Sequence, residues 1–354
     1  MALLKQSRKW PEQVEIDTLA IHHAHNQYDK DPIDACFSRA QDGSHHPKEE
    51  TAMSQQQRDA INEMMSKSPL DVGGEAIEQR ANFEKMLTAR PLADDVTTSP
   101  GELGGVPVLT IETDGANHDA VVLWFHGGWY AIGSPLTSAG ISSDVARRTG
   151  ARVVSVDYRL APEHPYPAAL QDAGAAYRAL LDSGVDPQSI AIVGESAGGG
   201  LAAALLASLA EAGLAQPACA VLFSPWTDLT LSGETMTSKI GIDPAFVPEK
   251  VRVRAAEYVG SSDPTDPSIS PIHADLHGLP PILIQAGSHE ILLDDSIRLA
   301  RRAATDDVAV TLDVTPGVPH LFQAFAPMLD EGDAALTRAA AFLDHHLSRP
   351  ANTI

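Results

Sequence analysis

The stretch Ile190-Ala191-Ile192-Val193-Gly194-Glu195-Ser196-Ala197-Gly198-Gly199 decides how this chain folds. Its apolar beginning has the length and composition of a buried strand, and its end opens an Ala- and Leu-rich helix that stops at Gly213. The G-x-S-x-G pattern between them predicts a sharp strand-turn-helix. Glycines are needed there because neighbouring backbone comes close, and the turn lifts the Ser196 hydroxyl to the N-terminus of the helix.

Strands and helices alternate on both sides of this stretch. The pattern predicts strands at Val106–Glu112, Ala120–Phe125, Arg152–Tyr158, Ile190–Gly194, Cys219–Phe223, Ile282–Ala286 and Val308–Val314. It predicts helices at Pro167–Leu181, Ala197–Ala212 and about Gly332–Leu347. Such alternation indicates an α/β fold with a mostly parallel sheet covered on both faces. Functional sites in such sheets lie at the carboxyl ends of the strands.

The chain is expected to divide near residue 95. Residues 1–95 form an N-terminal part, with two helices between Ser54 and Ala89 that Pro69 and the Gly73-Gly74 pair separate. Residues 96–354 form the main domain, and the stretch 227–277 interrupts its alternation and is a candidate roof over the site. Residues 11–52 are polar and rich in histidine, but the histidines match no familiar metal-ligand spacing.

Composition excludes several classes of protein. The 354 residues carry 25 basic and 47 acidic side chains, a net charge of −22, which disfavours nucleic acid and anionic membrane surfaces as partners. Only two cysteines are present, Cys36 and Cys219, so no disulfide framework is expected. The chain shows neither a signal-peptide core nor an apolar run of membrane-spanning length, and we expect a cytoplasmic protein.

A second motif lies upstream, where the strand ending at Phe125 runs into His126-Gly127-Gly128-Trp129. Attack of a serine on an acyl carbon creates an oxyanion that fixed backbone N–H groups must stabilise. Glycines allow the backbone to approach, so the expected oxyanion hole consists of the N–H groups of Gly127 and Gly128, with that of Ala197 after the nucleophile. His126 is interpreted as a residue that shapes the loop.

A nucleophilic serine needs a base, and the base needs an orienting carboxylate. Two residues after Ser196 fit, each just beyond a predicted strand: Glu290 is the expected acid and His320 the expected base. Asp294 is the rival acid, although it falls where a helix is already expected to run. His289-Glu290 does not continue as the zinc motif H-E-x-x-H, because residue 293 is leucine.

Several motifs in this order make the chain similar to a known family. They are His126-Gly127-Gly128, Asp157–Glu163, Gly194–Gly199, Ser224-Pro225-Trp226 and the run that ends at His320. Over roughly residues 55–350 the sequence resembles the bacterial hormone-sensitive-lipase-like esterases of the α/β-hydrolase superfamily. The resemblance implies hydrolysis of a small-molecule carboxylic ester without metal or cofactor, a helical cap within residues 1–95, and a homodimer as one possible state.

The sequence departs from the family pattern in three places, one of which is the N-terminal extension before Met53, for which the family offers no counterpart. The family usually has a third glycine where this chain has Trp129, a residue we expect to narrow the substrate pocket. The family's acid is often an aspartate followed by Pro-Leu, whereas Glu290 precedes Ile291-Leu292. The expected activity is hydrolysis of short- to medium-chain acyl esters through an acyl-enzyme. Lactone hydrolysis on the same triad is the alternative, and a non-catalytic ligand receptor is a third hypothesis.

Overall fold

The computed structural model describes residues 47–347. Eight strands form one sheet in the order β1-β2-β4-β3-β5-β6-β7-β8. The strands are β1 Val96–Leu103, β2 Val106–Thr113, β3 Asn117–Phe125, β4 Ala151–Val156, β5 Ile190–Glu195, β6 Cys219–Phe223, β7 Ile282–Gly287 and β8 Val310–Thr315. Strand β2 runs antiparallel to β1 and β4, and from β4 to β8 every neighbouring pair is parallel. The mostly parallel sheet is the one that the alternating pattern predicts, and the architecture agrees with the α/β-hydrolase fold that the family resemblance implies.

Helices cover both faces of the sheet. Within the described residues they are α1 Pro47–Ser66, α2 Ala76–Leu87, α3 Ala139–Thr149, α4 Ala168–Asp182, α5 Ala197–Glu211, α6 Thr235–Ser238, α7 Pro248–Val259, α8 Leu293–Thr305 and α9 Asp330–His346. The predicted helices 167–181, 197–212 and 332–347 correspond to α4, α5 and α9 with ends displaced by one or two residues.

Strand β5 lies at the centre of the sheet, and all six of its residues are buried. Ile190 and Ile192 face a core layer that includes α4 and α5, whereas Ala191 and Val193 face the layer that includes α3 and α9. Successive side chains of a strand point to opposite faces, so a strand covered on both sides must be apolar throughout. This explains the uninterrupted apolar run before Ser196.

Strand β1 is an element that the apolar pattern does not predict. Its sequence VTTSPGEL is mostly exposed, and it forms the edge of the sheet through antiparallel pairing with β2 alone. Gly104 and Gly105, both with positive φ, make the two-residue turn of the β1–β2 hairpin, in which Leu103 pairs with Val106. The Gly-Gly pair is the signal that could have revealed the hairpin, because an exposed edge strand has no apolar face to show.

Helices α1 and α2 belong to the same compact unit as the sheet. The two helices agree with the pair expected between Ser54 and Ala89, although α1 begins earlier, at Pro47. The stretch between them packs on α7, where the buried Arg254 donates from Nε to the Val72 carbonyl oxygen at 2.6 Å. The N-terminal helices therefore rest on the segment 227–277 that interrupts the strand-helix alternation.

Some expectations fall outside the described residues, among them those on Cys36 and on the histidines of residues 11–46. Cys219 is a buried free thiol in β6, and burial raises its pKa to about 12. None of the helices between residues 47 and 347 has both the length and the apolar character needed to cross a bilayer.

Candidate active site

The turn between β5 and α5 carries Ser196 in a backbone conformation that side chains rarely adopt, with φ 54° and ψ −119°. The residues two positions before and two positions after Ser196 must be glycine for steric reasons. A Cβ on Gly194 would lie 2.2 Å from the Gly198 carbonyl oxygen, and a Cβ on Gly198 would lie 2.1 Å from the Phe125 carbonyl oxygen. Such strain persists only where the surroundings enforce it, and it is frequent at functional sites. The turn places the Ser196 hydroxyl at the N-terminus of α5.

Three residues from three separate loops form a hydrogen-bonded chain that begins at this hydroxyl. His320, in the loop after β8, has its Nε2 atom 2.9 Å from the Ser196 Oγ atom. The other ring nitrogen, Nδ1, forms a short hydrogen bond to Oε2 of Glu290 in the loop after β7. Ser196, Glu290 and His320 are all buried. Because they are hydrogen-bonded in sequence, a proton can move from the hydroxyl to the imidazole while the carboxylate faces the other side of the ring.

Glu290 is held from its other oxygen as well. Oε1 accepts hydrogen bonds from the Gly287 N–H at 2.8 Å and from the Ser224 hydroxyl at 3.1 Å. Ser224 belongs to the Ser-Pro-Trp motif, whose role could not be read from the sequence. These two donors fix the carboxylate so that its second oxygen faces the imidazole.

The rival carboxylate, Asp294, points away from His320. It lies in the first turn of α8, where Oδ2 accepts the Glu234 N–H at 2.9 Å and pairs with Arg298. The structure therefore brings Glu290, and not Asp294, to the imidazole, because the helix begins between the two residues.

The loop 126–133, called here the oxyanion loop, runs beside Ser196. His126 begins it and is buried, with its ring stacked on Tyr158 at 4.1 Å and its carbonyl oxygen bonded to the Tyr158 hydroxyl at 2.7 Å. Burial lowers the pKa of His126 to about 4, so its imidazole is neutral near pH 7. These contacts support a role for His126 in shaping the loop and not in proton transfer.

Gly127 requires a correction of the expected oxyanion hole. Its N–H donates to Glu195 Oε1 at 3.0 Å, so this donor is already engaged by a carboxylate. A Cβ on Gly127 would lie 3.4 Å from the Ser196 Cβ, which is an ordinary contact distance. The N–H groups of Gly128 and Ala197 donate no hydrogen bond to any residue between 47 and 347, and they remain the candidate donors.

Glu195, the variable position of the G-x-S-x-G pattern, is a residue that the sequence reasoning passed over. Its side chain is buried, and Oε1 accepts both the Gly127 N–H and a short hydrogen bond from the Ser138 hydroxyl. Burial raises the pKa of Glu195 above the ordinary value of a glutamate. Glu195 thus joins the strand that carries the nucleophile to the first turn of the oxyanion loop.

Trp129 replaces the third glycine of the loop and has a φ of 61°. Its buried ring lies edge-on to Phe246, with centroids 4.5 Å apart, and edge-on to Trp226 at 5.4 Å. It also lies nearly parallel to the His320 ring at 6.2 Å. The residue expected to narrow the pocket therefore forms an aromatic wall beside the imidazole, together with Phe246.

Phe246 comes from the segment 227–277, the candidate roof, but no motif marks this residue as part of the site. Its ring lies edge-on to His320 with centroids 5.1 Å apart. The buried Asp243 holds it there by accepting the N–H groups of Ala245 and Phe246, and also that of Ile291, each at 2.9 Å. Burial raises the pKa of Asp243. One carboxylate thus links the aromatic wall to the loop that carries Glu290.

A cavity of about 840 Å³ opens onto Ser196 and His320. Its lining is mostly apolar and comes from the N-terminal helices, from the oxyanion loop and from the segment 227–277. The residues that contribute from these three parts include Met64, Met65, Phe83, Met86, Trp129 and Phe246. Helices α1 and α2 therefore contribute side chains to the cavity that opens onto Ser196 and His320.

One surface group among the described residues could hold a metal ion. Asp275, His277 and Asp306 each place one ligand atom within 4.8 Å of the others, and the first two side chains are exposed. None of the three lines the cavity at Ser196. Exposed carboxylates often gather in this way without an ion, so the group assigns no metal to the site.

Comparison with known proteins identifies the family to which this chain is related. A family model described as "alpha/beta hydrolase fold" matches residues 122–324. The acetyl-hydrolase of Streptomyces hygroscopicus is 39% identical over 76% of this chain and 90% of its own, and an esterase of Acinetobacter venetianus is 38% identical over 74% and 87%. A crystal structure of an esterase from the bacterial hormone-sensitive lipase family superposes with a TM-score of 0.79 at 42% identity, covering 84% of this chain and 99% of that one.

Proposed function

The chain belongs to the bacterial hormone-sensitive-lipase-like esterases of the α/β-hydrolase superfamily and is a serine carboxylesterase, and from that premise we propose that it hydrolyses short- to medium-chain acyl esters through Ser196, His320 and Glu290. The observation that carries the proposal is the continuous hydrogen-bonded path from the Ser196 hydroxyl through the imidazole to the Glu290 carboxylate. A receptor without catalysis does not need that path.

In the proposed mechanism His320 takes the proton of Ser196 as the serine oxygen attacks the ester carbonyl carbon. The carbonyl oxygen becomes an oxyanion, and the free N–H groups of Gly128 and Ala197 face it. Glu290 orients the ring and stabilises its charged form. The imidazolium then gives its proton to the departing alkoxide, leaving an acyl group on Ser196.

Water completes the cycle by the same route. His320 removes a proton from the water, whose oxygen attacks the acyl carbon, and the second oxyanion collapses to release the carboxylic acid and the Ser196 hydroxyl. His126 is not hydrogen-bonded to Ser196 in the described part of the chain: its Nδ1 lies 2.7 Å from the Gly127 carbonyl oxygen, and its Nε2 is buried without a partner. The base of the proposed mechanism is therefore His320, whose Nε2 lies 2.9 Å from the Ser196 Oγ atom.

Preference for short acyl groups is supported by the aromatic wall. Trp129 occupies the place of a glycine, and its ring fills space beside the imidazole together with Phe246 and Trp226. Trp129 and Trp226 are buried, so their rings pack tightly and cannot move aside without losing their contacts. The similarity to an acetyl-hydrolase supports the same end of the scale.

A graded ester panel tests the substrate proposal. We expect kcat/KM for p-nitrophenyl esters to be greatest at acetate or butyrate and to fall by roughly tenfold or more at decanoate, as a pocket closed by aromatic rings demands. A γ-lactone in the same panel tests the alternative substrate class. A rise in kcat/KM through the long chains would contradict the proposed acyl preference.

Substitutions test the residues. Ser196→Ala is expected to lower kcat by about 10⁴- to 10⁶-fold, and Glu290→Gln by about 10³- to 10⁴-fold. Asp294→Asn should have a far smaller effect because its carboxylate faces Glu234 and Arg298. Ser183→Ala, at the exposed end of α4, is the matched control and should keep wild-type turnover. Wild-type turnover in Ser196→Ala would sink the proposal.

A further inference from the structure

Two consecutive residues of the oxyanion loop are strained without being glycine. Trp129 and Tyr130 have φ values of 61° and 60°, in the left-handed region. A bulky residue in such a conformation is strained, and the conformation persists only where neighbouring structure enforces it. They follow Gly128 directly, so whatever holds them also sets where the Gly128 N–H points.

The groups that hold this strained turn include an arginine from helix α2, which precedes the first strand of the sheet. Arg80, in α2, donates from Nε to the Ala131 carbonyl oxygen at 2.9 Å and from Nη2 to the Ala161 carbonyl oxygen at 2.9 Å. Its guanidinium also forms a bidentate ion pair with the Glu163 carboxylate, with both N···O distances at 2.7 Å. One side chain therefore engages the end of the strained turn and the segment packed beside it.

The segment packed beside the turn is itself bonded to the loop. The Ala161 N–H donates to the Tyr130 carbonyl oxygen at 2.8 Å, and the Tyr158 hydroxyl donates to the His126 carbonyl oxygen at 2.7 Å. Arg80 closes this ring of contacts, because it bonds to Ala161 and to Ala131 at once. The Arg80 side chain is 28% exposed, so these bonds are shielded from water over most of the side chain.

The same helix also lines the substrate cavity. Phe83 and Met86 of α2 face the cavity, one turn and nearly two turns after Arg80. The carboxylate of Glu84 accepts the Ser134 hydroxyl just beyond the loop, at 3.3 Å. Helix α2 therefore lines the cavity and is also hydrogen-bonded to the backbone of the oxyanion loop.

We propose that Arg80 is a positioning residue that couples the seating of helix α2 over the substrate to the geometry of the oxyanion loop. When α2 is seated, the guanidinium fixes the Ala131 and Ala161 carbonyl oxygens and with them the strained turn that aims the Gly128 N–H. When α2 moves away, the turn loses that anchor and the oxyanion loses a fixed donor. The proposal rests on the oxyanion role given to this loop under the proposed function.

Arginine is the residue type that this arrangement requires. Its planar fork presents several N–H groups in fixed directions, so it can bond two carbonyl oxygens and a carboxylate together. Lysine has a single ammonium group on a flexible chain and can satisfy only part of this set. Glutamine at residue 163 would keep an acceptor for Arg80 but remove the charge.

The test compares Arg80→Met, Arg80→Lys and Glu163→Gln with wild type on p-nitrophenyl acetate. Arg80→Met should lower kcat by roughly 10- to 100-fold with KM within about threefold, since a misaimed oxyanion donor weakens the transition state more than substrate binding. The kcat values of Arg80→Lys and Glu163→Gln should lie between those of wild type and Arg80→Met. Arg147→Met, which breaks an exposed ion pair with Asp95, is the matched control and should leave kcat unchanged.

A second readout separates positioning from simple loss of stability. The serine oxygen adds to the carbonyl carbon of a short alkyl trifluoromethyl ketone, which places an oxyanion where the reaction does. The inhibition constant of this ketone should therefore rise in proportion to the fall in kcat/KM across the series. Melting temperatures show that each variant is folded at the assay temperature. If Arg80→Met does not fold, Arg80→Lys and Glu163→Gln carry the comparison.

The outcomes are distinct. Parallel losses in kcat and in ketone affinity support the coupling. Unchanged kcat and ketone affinity in folded Arg80→Met, or in folded Arg80→Lys and Glu163→Gln, overturn it. A wild-type protein that hydrolyses esters while Ser196→Ala does so equally well contradicts the proposed function instead, and leaves a different signature from any Arg80 result.

Discussion

The nucleophile turn 194–200 and the oxyanion loop 126–133 lie side by side at one cavity, and both contain non-glycine residues with positive φ. The nucleophile turn is held mainly by backbone. The Ser196 N–H donates to the Phe223 carbonyl oxygen at 2.8 Å, its carbonyl oxygen accepts the Trp226 N–H at 2.9 Å, and its glycines fit against neighbouring main chain. The oxyanion loop combines backbone hydrogen bonds with three side-chain anchors, those of Arg80, Tyr158 and Glu195.

This difference predicts how the two regions respond to substitution. A turn fitted against backbone fails through steric overlap, because backbone in a sheet cannot move without disturbing the strands. A loop anchored by side chains fails gradually, one hydrogen bond at a time, and its failures should be seen in catalysis before they are seen in folding. Three substitutions at or beside these two regions test that contrast.

The largest effect is expected from Gly198→Ala in the nucleophile turn. The new Cβ would lie 2.1 Å from the Phe125 carbonyl oxygen and 2.5 Å from that of His126, so the two regions must separate. We expect a loss of about 3 kcal/mol or more in the free energy of unfolding, measured by urea denaturation. Gly101→Ala in β1, where the nearest atom is 3.4 Å away, is the control and should stay within about 0.5 kcal/mol of wild type. Equal stabilities would show that the turn is not sterically fixed.

An intermediate effect is expected from Glu195, the anchor of Gly127. Glu195→Leu removes the acceptor of the Gly127 N–H and of the Ser138 hydroxyl, and we expect kcat to fall by roughly 10- to 100-fold. Glu195→Gln keeps an acceptor oxygen and should keep kcat within a few-fold of wild type. Steady-state kinetics on p-nitrophenyl acetate measures both. If the leucine variant were as fast as the glutamine variant, the loop would be self-supporting, like the nucleophile turn.

The smallest effect is a pH dependence of stability. Burial raises the folded-state pKa of Glu195 above its unfolded value near 4.5, so the folded protein binds more protons between those two pH values. The contribution of Glu195 to stability is therefore greatest below pH 4.5 and declines as pH rises toward the folded pKa. Glu195→Gln has no such ionisation, so its stability relative to wild type should be greater at pH 8 than at pH 5. Urea unfolding at both pH values measures this, and a constant difference would contradict it.

Much of the sheet could be predicted because its signals are local. The apolar run before Ser196, the glycines after it and the Gly213 stop belong to single elements, and their meaning does not depend on distant residues. Strand β1 was missed because an exposed edge strand carries no apolar face. Glu290 could be preferred over Asp294 for the same local reason, since the start of α8 at Leu293 can be read from the neighbouring residues.

The contacts that join distant segments could not be read in this way. Phe246 reaches His320 from a stretch without a motif, and Asp243 reaches Ile291 across 48 positions. Gly127 was assigned to the oxyanion from its motif, yet its N–H faces Glu195, 68 positions away. A motif specifies which residue types lie close in the chain but does not specify which partner their hydrogen-bonding groups will meet.

Local sequence signals were enough to predict the α/β fold, the turn that carries Ser196 and the chain order of the three residues that the structure brings together, since strand periodicity and glycine-dependent turns are encoded within a few neighbouring positions. Only the tertiary structure decided which N–H groups are left for an oxyanion, which aromatic rings line the cavity, and that an arginine of α2 reaches the oxyanion loop. Those features depend on directions and distances between segments far apart in the chain, and these exist only once the sheet has brought the segments together.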